Sequence, residues 1–341
     1  MERAAKLTPH AVQTARHRTA WLEAGPPSGP LVIFLHGWPE LGLVWRAQLE
    51  HFAQLGYRCV APDMRGYGGS SVPTATTAYA VRELVHDMLE LHDALGGAPA
   101  IWVGHDWGSP VVWSLASHHA ARCRGVASLC VPYFAHGFAL SHIAEWVDRQ
   151  LYPEDQYPVG QWDYFEFYRE HFDQAAQDFE ADIAATLALL YRTGSPGAIG
   201  ERAFTSAVRA RGGWFGVARR APVVPRDPTL LSAGDFDALV AAFRTTGFRG
   251  ANSWYMNDAA NIAYAAEAPG GGRLALPVLF LHAAWDIVCD TMRTGMAEPM
   301  RASCAALTEI AIQGGHELML ERPAEVNAAI ADWLTHHQLT I

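Results

Sequence analysis

The sequence has few cysteines and no pattern that would pair them. Its 341 residues include five cysteines, an odd number, scattered along mostly apolar segments. A disulfide framework needs paired cysteines, so these side chains are expected to be reduced, buried thiols in a reducing compartment. The five positions are Cys59, Cys123, Cys130, Cys289 and Cys304.

The sequence also lacks an excess of basic residues. It contains 25 Lys and Arg against 35 Asp and Glu, which gives a net charge of −10. An acidic chain repels phosphate backbones, so nucleic-acid binding is not expected. The 16 histidines do not converge with Cys or carboxylates at a metal-ligand spacing, and Gly68-Gly69 belongs to no phosphate loop with a Lys. We therefore predict neither a metal nor a cofactor.

Long hydrophobic runs are absent as well. No segment approaches the uninterrupted apolar length of a membrane span, and residues 1–20 mix charges and His without the apolar stretch of a secretion signal. These absences predict a soluble, cytoplasmic protein with no membrane insertion.

What the sequence does contain is a set of short apolar runs. Half of the residues are apolar, so the chain can bury a large core and is not a disordered chain. After an expected β-hairpin at residues 11–16 and 19–23, buried strands are predicted at Leu31–Leu35 and at residues 57–61, 100–103, 126–130, 277–281 and 307–312. These runs mostly alternate with helix-period segments, which is typical of an α/β fold with a mainly parallel central sheet flanked by helices.

The alternation stops between residues 131 and 272. That segment is helical in pattern, rich in aromatics and interrupted by Gly and Pro, and the chain then returns to a buried strand. We predict a core formed by residues 1–130 and 273–341, with residues 131–272 inserted into it as a helical cap.

A sharp turn is predicted around Asp106. Gly104 and Gly108 stand two residues either side of it, directly after a strand and before helix-period sequence, as in a strand-to-helix elbow that exposes its central side chain. No Gly-x-Ser-x-Gly sequence occurs in the chain, so the nucleophile of such an elbow would be the carboxylate of Asp106, which needs no base to ionise it. The simpler interpretation is that Asp106 only caps the next helix.

Further polar groups follow the other predicted strands. Asp286 and His316 come just past two of them, which gives the chain order of acid nucleophile, acid and His that is typical of this fold class. Asp290 is an alternative to Asp286, although it fits better at a helix start. The backbone N–H groups of Trp38 and Trp107 are positioned to form an oxyanion hole.

Together these motifs resemble those of α/β-hydrolases of the epoxide hydrolase family, in particular the soluble epoxide hydrolases without their phosphatase domain. The resemblance covers nearly the whole chain. It depends on HGWPE at residues 36–40 with Trp45-Arg46, on APDMRGYGGS at 61–70 and GHDWG at 104–108, and on Asp286 and Gly315-His316. It implies an α/β-hydrolase fold.

The family uses two cap tyrosines to hold the epoxide oxygen. The resemblance implies this role for Tyr255 and for Tyr164, with Tyr157 and Tyr168 as neighbouring alternatives to Tyr164 and ordinary cap packing as the other interpretation. Residues 165–172 depart from the family because they lack the Gln-Glu-Pro-Gly often found there. This departure concerns the cap and not the core triad.

Aromatic residues are expected to line an apolar cavity. We predict substrate contacts for Trp38, Trp107, Trp162 and Trp254, while several other cap aromatics must pack the cap on the core. The aromatics that indicate this cavity also include Phe165, Phe167, Trp214 and Phe215.

The expected activity is hydrolysis of an apolar epoxide to a vicinal diol. Asp106 would form a covalent ester and His316, oriented by Asp286, would activate water. The expected partners are the epoxide and water, with a homodimer left open. The alternatives are a haloalkane dehalogenase with the same nucleophile and a ligand-binding protein without catalysis.

Overall fold

An eight-stranded sheet forms the centre of the molecule in a computed structural model that describes residues 6–340. The strand order is β1-β2-β4-β3-β5-β6-β7-β8, and β2 alone runs antiparallel to both of its neighbours. This confirms the mainly parallel sheet predicted from the sequence. The strands are β1 (Thr8–Gln13), β2 (Arg18–Ala24), β3 (Leu31–Leu35), β4 (Arg58–Pro62), β5 (Ala100–His105), β6 (Cys123–Leu129), β7 (Leu274–Ala283) and β8 (Cys304–Ile312).

Helices flank this sheet. Helix α3 packs on β5 and β6 and against α2, while α1 packs on β4 and against α13, which also contacts β8. The helices of this part of the chain are α1 (Arg46–Gln54), α2 (Val81–Ala94), α3 (Gly108–His118), α11 (Glu298–Ser303), α12 (Leu318–Glu321) and α13 (Pro323–His336). Because β3 and β5 lie inside this arrangement, all of their residues are buried and both read as continuous apolar runs.

The connection between β6 and β7 is helical. It contains α4 (Leu140–Ile143), α5 (Asp163–Glu170), α6 (Phe172–Glu180), α7 (Ile183–Leu190), α8 (Ala233–Thr246), α9 (Arg249–Asn252) and α10 (Asp258–Ala266), joined by short 3-10 turns, and every residue of this connection is described. It is tied to the sheet end by an ion pair between Arg46 and Asp235 and by a hydrogen bond from the Tyr191 hydroxyl to the Pro39 carbonyl, 2.9 Å long. The division into core and cap at residues 131 and 272 stays a prediction.

The turn between β5 and α3 is as sharp as the small residues around it indicate. Asp106 has a φ of 46°, in the left-handed region that side chains other than glycine rarely adopt. A Cβ on Gly108 would lie 2.2 Å from the Leu35 carbonyl oxygen, and one on Gly104 would lie 2.7 Å from the Gly108 carbonyl oxygen. Only glycine therefore allows the strand, the turn and the helix to approach so closely.

All five cysteine thiols are free, and Cys123 is half-buried while the others are buried. Across residues 6–340, no helix has the length and apolar character needed to cross a membrane.

Candidate active site

Asp106 projects from the elbow towards the turn after β3. Its Oδ1 accepts a hydrogen bond of 2.7 Å from the Trp38 backbone N–H. Burial would raise the pKa of Asp106, but the interactions with His316 and this N–H outweigh burial and hold the pKa below its usual value. The side chain is therefore an ionised carboxylate near neutral pH.

His316 lies between two carboxylates. Its Nδ1 is 2.7 Å from Asp286 Oδ2, and its Nε2 is 3.6 Å from Asp106 Oδ2. Burial lowers the pKa of His316, but the charges of Asp286 and Asp106 overcome this and raise it well above the usual value. In this state the ring is an imidazolium that bridges the two acids.

Asp286 is itself held by the loop that carries it. Its Oδ1 accepts hydrogen bonds of 2.9 Å from the Val288 and Cys289 backbone N–H groups, which leaves Oδ2 for His316. The sequence alternative, Asp290, accepts instead from the backbone and side chain of Arg293. The structure therefore brings Asp286, and not Asp290, to the histidine.

Two backbone N–H groups are available beside Asp106. Trp38 already donates to Oδ1, and Trp107 is the N-cap residue of α3, so the N–H of Trp107 has no acceptor within the helix. His36 stabilises this turn, because its Nε2 accepts from the Met64 N–H at 2.9 Å and its Nδ1 lies 2.9 Å from the Gly37 carbonyl.

Tyr164 and Tyr255 face the same cavity as Asp106. Their rings are 5.5 Å apart, and neither hydroxyl is hydrogen-bonded to another residue within 6–340. Burial, with the Asp106 charge nearby, raises the pKa of both phenols well above the usual value, so both stay protonated donors. Tyr168 and Tyr157 do not line the cavity, and the Tyr157 hydroxyl lies 3.2 Å from Arg202 Nη1.

The cavity itself has a volume of about 170 Å³ and is mostly apolar. Three of the four tryptophans predicted to contact substrate line it, namely Trp38, Trp107 and Trp162, together with Phe138, Phe165, Leu190, Phe204 and Trp214. Among its lining residues, Asp106 and Glu317 are the two with carboxyl groups.

Trp254 lies outside this lining, which corrects the predicted substrate contact. Its indole N–H donates to the Arg65 carbonyl at 3.0 Å, and its ring packs edge to face against Trp107 and Tyr67. The neighbouring Tyr255 lines the cavity instead. Phe167 and Phe215 are likewise outside the cavity.

Sequence reasoning missed several groups at the site. Glu40 and Glu317 are buried carboxyl groups close to His105, while the Cys289 thiol and the exposed Arg192 also line the cavity. The HGWPE motif includes Glu40, but nothing in the sequence marks Glu317, which follows His316 where a solvated helix start would be expected.

A parallel sheet with a nucleophile elbow after one of its central strands is typical of α/β-hydrolases, and comparison with known proteins agrees with this class. The sequence profile of the α/β hydrolase fold family matches residues 30–323. The chain therefore belongs to the α/β-hydrolase fold family.

Within this class, the chain belongs to the epoxide hydrolases. It is 34% identical over 336 residues to epoxide hydrolase A of Mycobacterium tuberculosis, covering 97% of this chain and 98% of that one. It is 30% identical to bifunctional epoxide hydrolase 2 of Rattus norvegicus, but spans only 53% of that longer protein. The crystal structure of epoxide hydrolase A from Mycobacterium thermoresistibile has a TM-score of 0.79 and 33% identity, covering 97% of this chain and 98% of the other.

The raised pKa of His316 can be tested by removing one of its two acids. In Asp286→Asn we expect the His316 pKa to fall, because the amide cannot stabilise the imidazolium as the carboxylate does. Histidine NMR titration measures this, and Asp290→Asn is the matched control. An unchanged His316 pKa in Asp286→Asn would contradict the site geometry.

Proposed function

We propose that this protein hydrolyses apolar epoxides to vicinal diols through a covalent ester on Asp106. The observation that carries the proposal is the arrangement of the ionised Asp106 beneath two free tyrosine hydroxyls in one apolar cavity, with His316 beside it. A carboxylate can attack carbon directly, and the phenols can meet the oxygen that leaves that carbon.

In the first step, Asp106 Oδ2 attacks one ring carbon. A new carbon–oxygen bond to Asp106 forms as the ring C–O bond breaks, and the hydroxyls of Tyr164 and Tyr255 hydrogen-bond the departing oxygen. Because Oδ1 is held by the Trp38 N–H, it becomes the carbonyl oxygen of the ester. The product is a hydroxyalkyl ester.

Ester formation changes the state of His316. The Asp106 charge contributes to the raised pKa of His316, and the ester removes this charge. The pKa of His316 then falls, so the ring loses a proton and the epoxide-derived oxygen gains one by way of the tyrosine hydroxyls, which leaves a neutral imidazole and the hydroxyl group of the ester. The first step in this way prepares the base for the second.

In the second step, His316 takes a proton from water as the water attacks the Asp106 carbonyl carbon. The N–H groups of Trp38 and Trp107 stabilise the resulting oxyanion, and Asp286 stabilises the imidazolium. The tetrahedral intermediate collapses by breaking the ester bond, and His316 returns its proton to the leaving diol. The collapse leaves Asp106 as a carboxylic acid with one oxygen from water, and its proton passes to the neutral His316, which restores the carboxylate and the imidazolium.

Halide displacement, the alternative for the same nucleophile, is not favoured. The Trp38 indole N–H donates to Asn252 Oδ1 at 3.0 Å, so it is not free to hold a departing halide, and halide release does not require the pair of tyrosine hydroxyls that the cavity contains. Epoxide hydrolases A and B of Mycobacterium tuberculosis, which resemble this chain over most of its length, also favour the epoxide. For location we propose the cytoplasm, a reducing compartment that suits five free thiols.

The tyrosine pair generates a kinetic prediction. Tyr164→Phe and Tyr255→Phe should each slow ester formation by about tenfold or more, and the double variant by about a hundredfold or more, because loss of acid assistance has this magnitude. Rapid-quench measurement of ester formation with an aryl epoxide tests it. Tyr168→Phe is the matched control and should form the ester at the wild-type rate. If Tyr168→Phe slows ester formation and Tyr164→Phe does not, the assignment of Tyr164 as a donor to the epoxide oxygen is wrong.

The base is tested by arresting the second step. His316→Gln should form the ester on Asp106 but hydrolyse it at least about a hundredfold more slowly than wild type, since no group remains to activate water. Intact-mass spectrometry after mixing with epoxide should show a gain of one substrate mass, located to the peptide that contains Asp106. A variant with rapid turnover and no adduct would rule out His316 as the base.

A further inference from the structure

A second carboxyl group lies at the cavity beside the proposed base. Glu317 directly follows His316, is only 7% exposed and contributes to the lining of the cavity. Within residues 6–340 it forms no ion pair with Lys or Arg, and its Oε2 is buried without a hydrogen-bond partner. A carboxyl group in such surroundings needs an explanation.

The nearest polar groups show how protons are distributed around Glu317. His105 Nε2 lies 2.8 Å from the His316 carbonyl oxygen, which can only accept, so Nε2 carries a hydrogen. His105 Nδ1 lies 3.0 Å from Glu40 Oε1. Neither atom makes a hydrogen bond of regular geometry within the described part of the chain, so both are buried polar atoms without a partner there, like Oε2 of Glu317.

Glu317 lies next to this pair. One carboxyl oxygen of Glu317, one of Glu40 and one nitrogen of His105 lie within 4.8 Å of one another. The other titratable groups close to Glu317 are His316, Tyr191 and Cys130, and Asp106 and Arg192 line the same cavity. Burial and Glu40 raise the pKa of Glu317 well above the usual value, and burial raises that of Glu40 to about 7. These surroundings favour the protonated form of Glu317 over its carboxylate.

The second half-reaction requires a water molecule in a cavity with few polar groups. A water at such a site needs two to four hydrogen-bond partners to be held in one orientation. His316 supplies one acceptor, and a neutral carboxyl group next to it supplies both an O–H donor and a carbonyl acceptor. An ionised carboxylate would supply acceptors only.

We propose that Glu317, which is buried at the cavity beside His316 with an unpartnered carboxyl oxygen, positions the water that hydrolyses the Asp106 ester. The inference rests on the proposed function, because it concerns the second of the two steps. Glu317 takes no part in bond making: His316 receives the proton of the water, and Glu317 keeps its own.

The test compares an isostere with an apolar variant. Glu317→Gln keeps a donor and an acceptor without a charge, whereas Glu317→Leu has neither, and Glu325→Gln on the exposed side of α13 is the control. We expect ester formation within about twofold of wild type in all three. Ester decay should stay within about threefold in Glu317→Gln but slow by about tenfold or more in Glu317→Leu, since the water loses its orientation.

Thermal unfolding across pH tests the neutral state. An acid with a raised pKa binds its proton more tightly when folded, so stability falls as pH rises from about 4.5 through the folded pKa. The melting temperature of wild type should therefore fall relative to that of Glu317→Gln between about pH 5 and pH 9. If the difference in melting temperature between wild type and Glu317→Gln does not change with pH, Glu317 does not bind a proton more tightly in the folded state.

These experiments distinguish failure of the role of Glu317 from failure of the proposed epoxide hydrolysis. If wild type forms no ester with epoxide, the proposed function itself fails. If wild type forms the ester and Glu317→Leu hydrolyses it at the same rate, the role of Glu317 fails alone. If Glu317→Leu does not fold, ester decay slowed by about tenfold or more in Glu317→Gln overturns the proposal, and decay within about threefold sustains it.

Discussion

The close packing of three backbone segments around Asp106 is the constraint on which the site depends. The turn after β5 holds Asp106 at positive φ, the start of α3 lies against the end of β3, and a Cβ on Gly37 would lie 2.3 Å from Asp106 Oδ1. Strain of this kind costs about 1–3 kcal/mol and persists only where the surrounding structure enforces it. Here the enforcing structure is the parallel sheet, whose adjacent strands β3 and β5 end side by side.

This constraint also explains how a carboxylate can serve two functions in one cycle. The Trp38 N–H fixes Oδ1, and Asp286 fixes the ring of His316, so Asp106 Oδ2 and His316 Nε2 face one another at 3.6 Å. In the proposed mechanism, the charge of Asp106 keeps His316 protonated before the reaction, and conversion of Asp106 to an ester releases that proton. The order of the two proposed steps then follows from electrostatics.

The sequence predicted the core better than the cap, for physical reasons. β3 was predicted to its exact ends because five apolar residues stand between a proline and a polar turn, and all five are buried. β8 begins three residues earlier than predicted, because residues 304–306 are a cysteine and two alanines at the edge of the sheet, small side chains that add little to an apolar run. Asp106, Asp286 and His316 were accessible to sequence reasoning because each follows a strand whose end the pattern marks.

Side chains that are placed at the site by contacts between distant segments of the chain could not be predicted in this way. Trp254 and Tyr255 are neighbours in one 3-10 turn, and which ring faces the cavity is decided by Trp107 and Tyr67, both distant in sequence. Glu317 is buried by Glu40 and by Tyr191, which is tied to Pro39. Contacts between residues that are distant in sequence cannot be inferred from a local sequence pattern.

The covalent ester is the central claim, and one measurement tests it most directly. Wild-type enzyme in excess over epoxide, mixed in ¹⁸O-labelled water, performs a single turnover. The ester mechanism predicts a first diol without label, because its new oxygen comes from the Asp106 carboxylate, and label appears in Asp106 instead. A first-turnover diol that carries the label would show direct attack by water and would contradict the account.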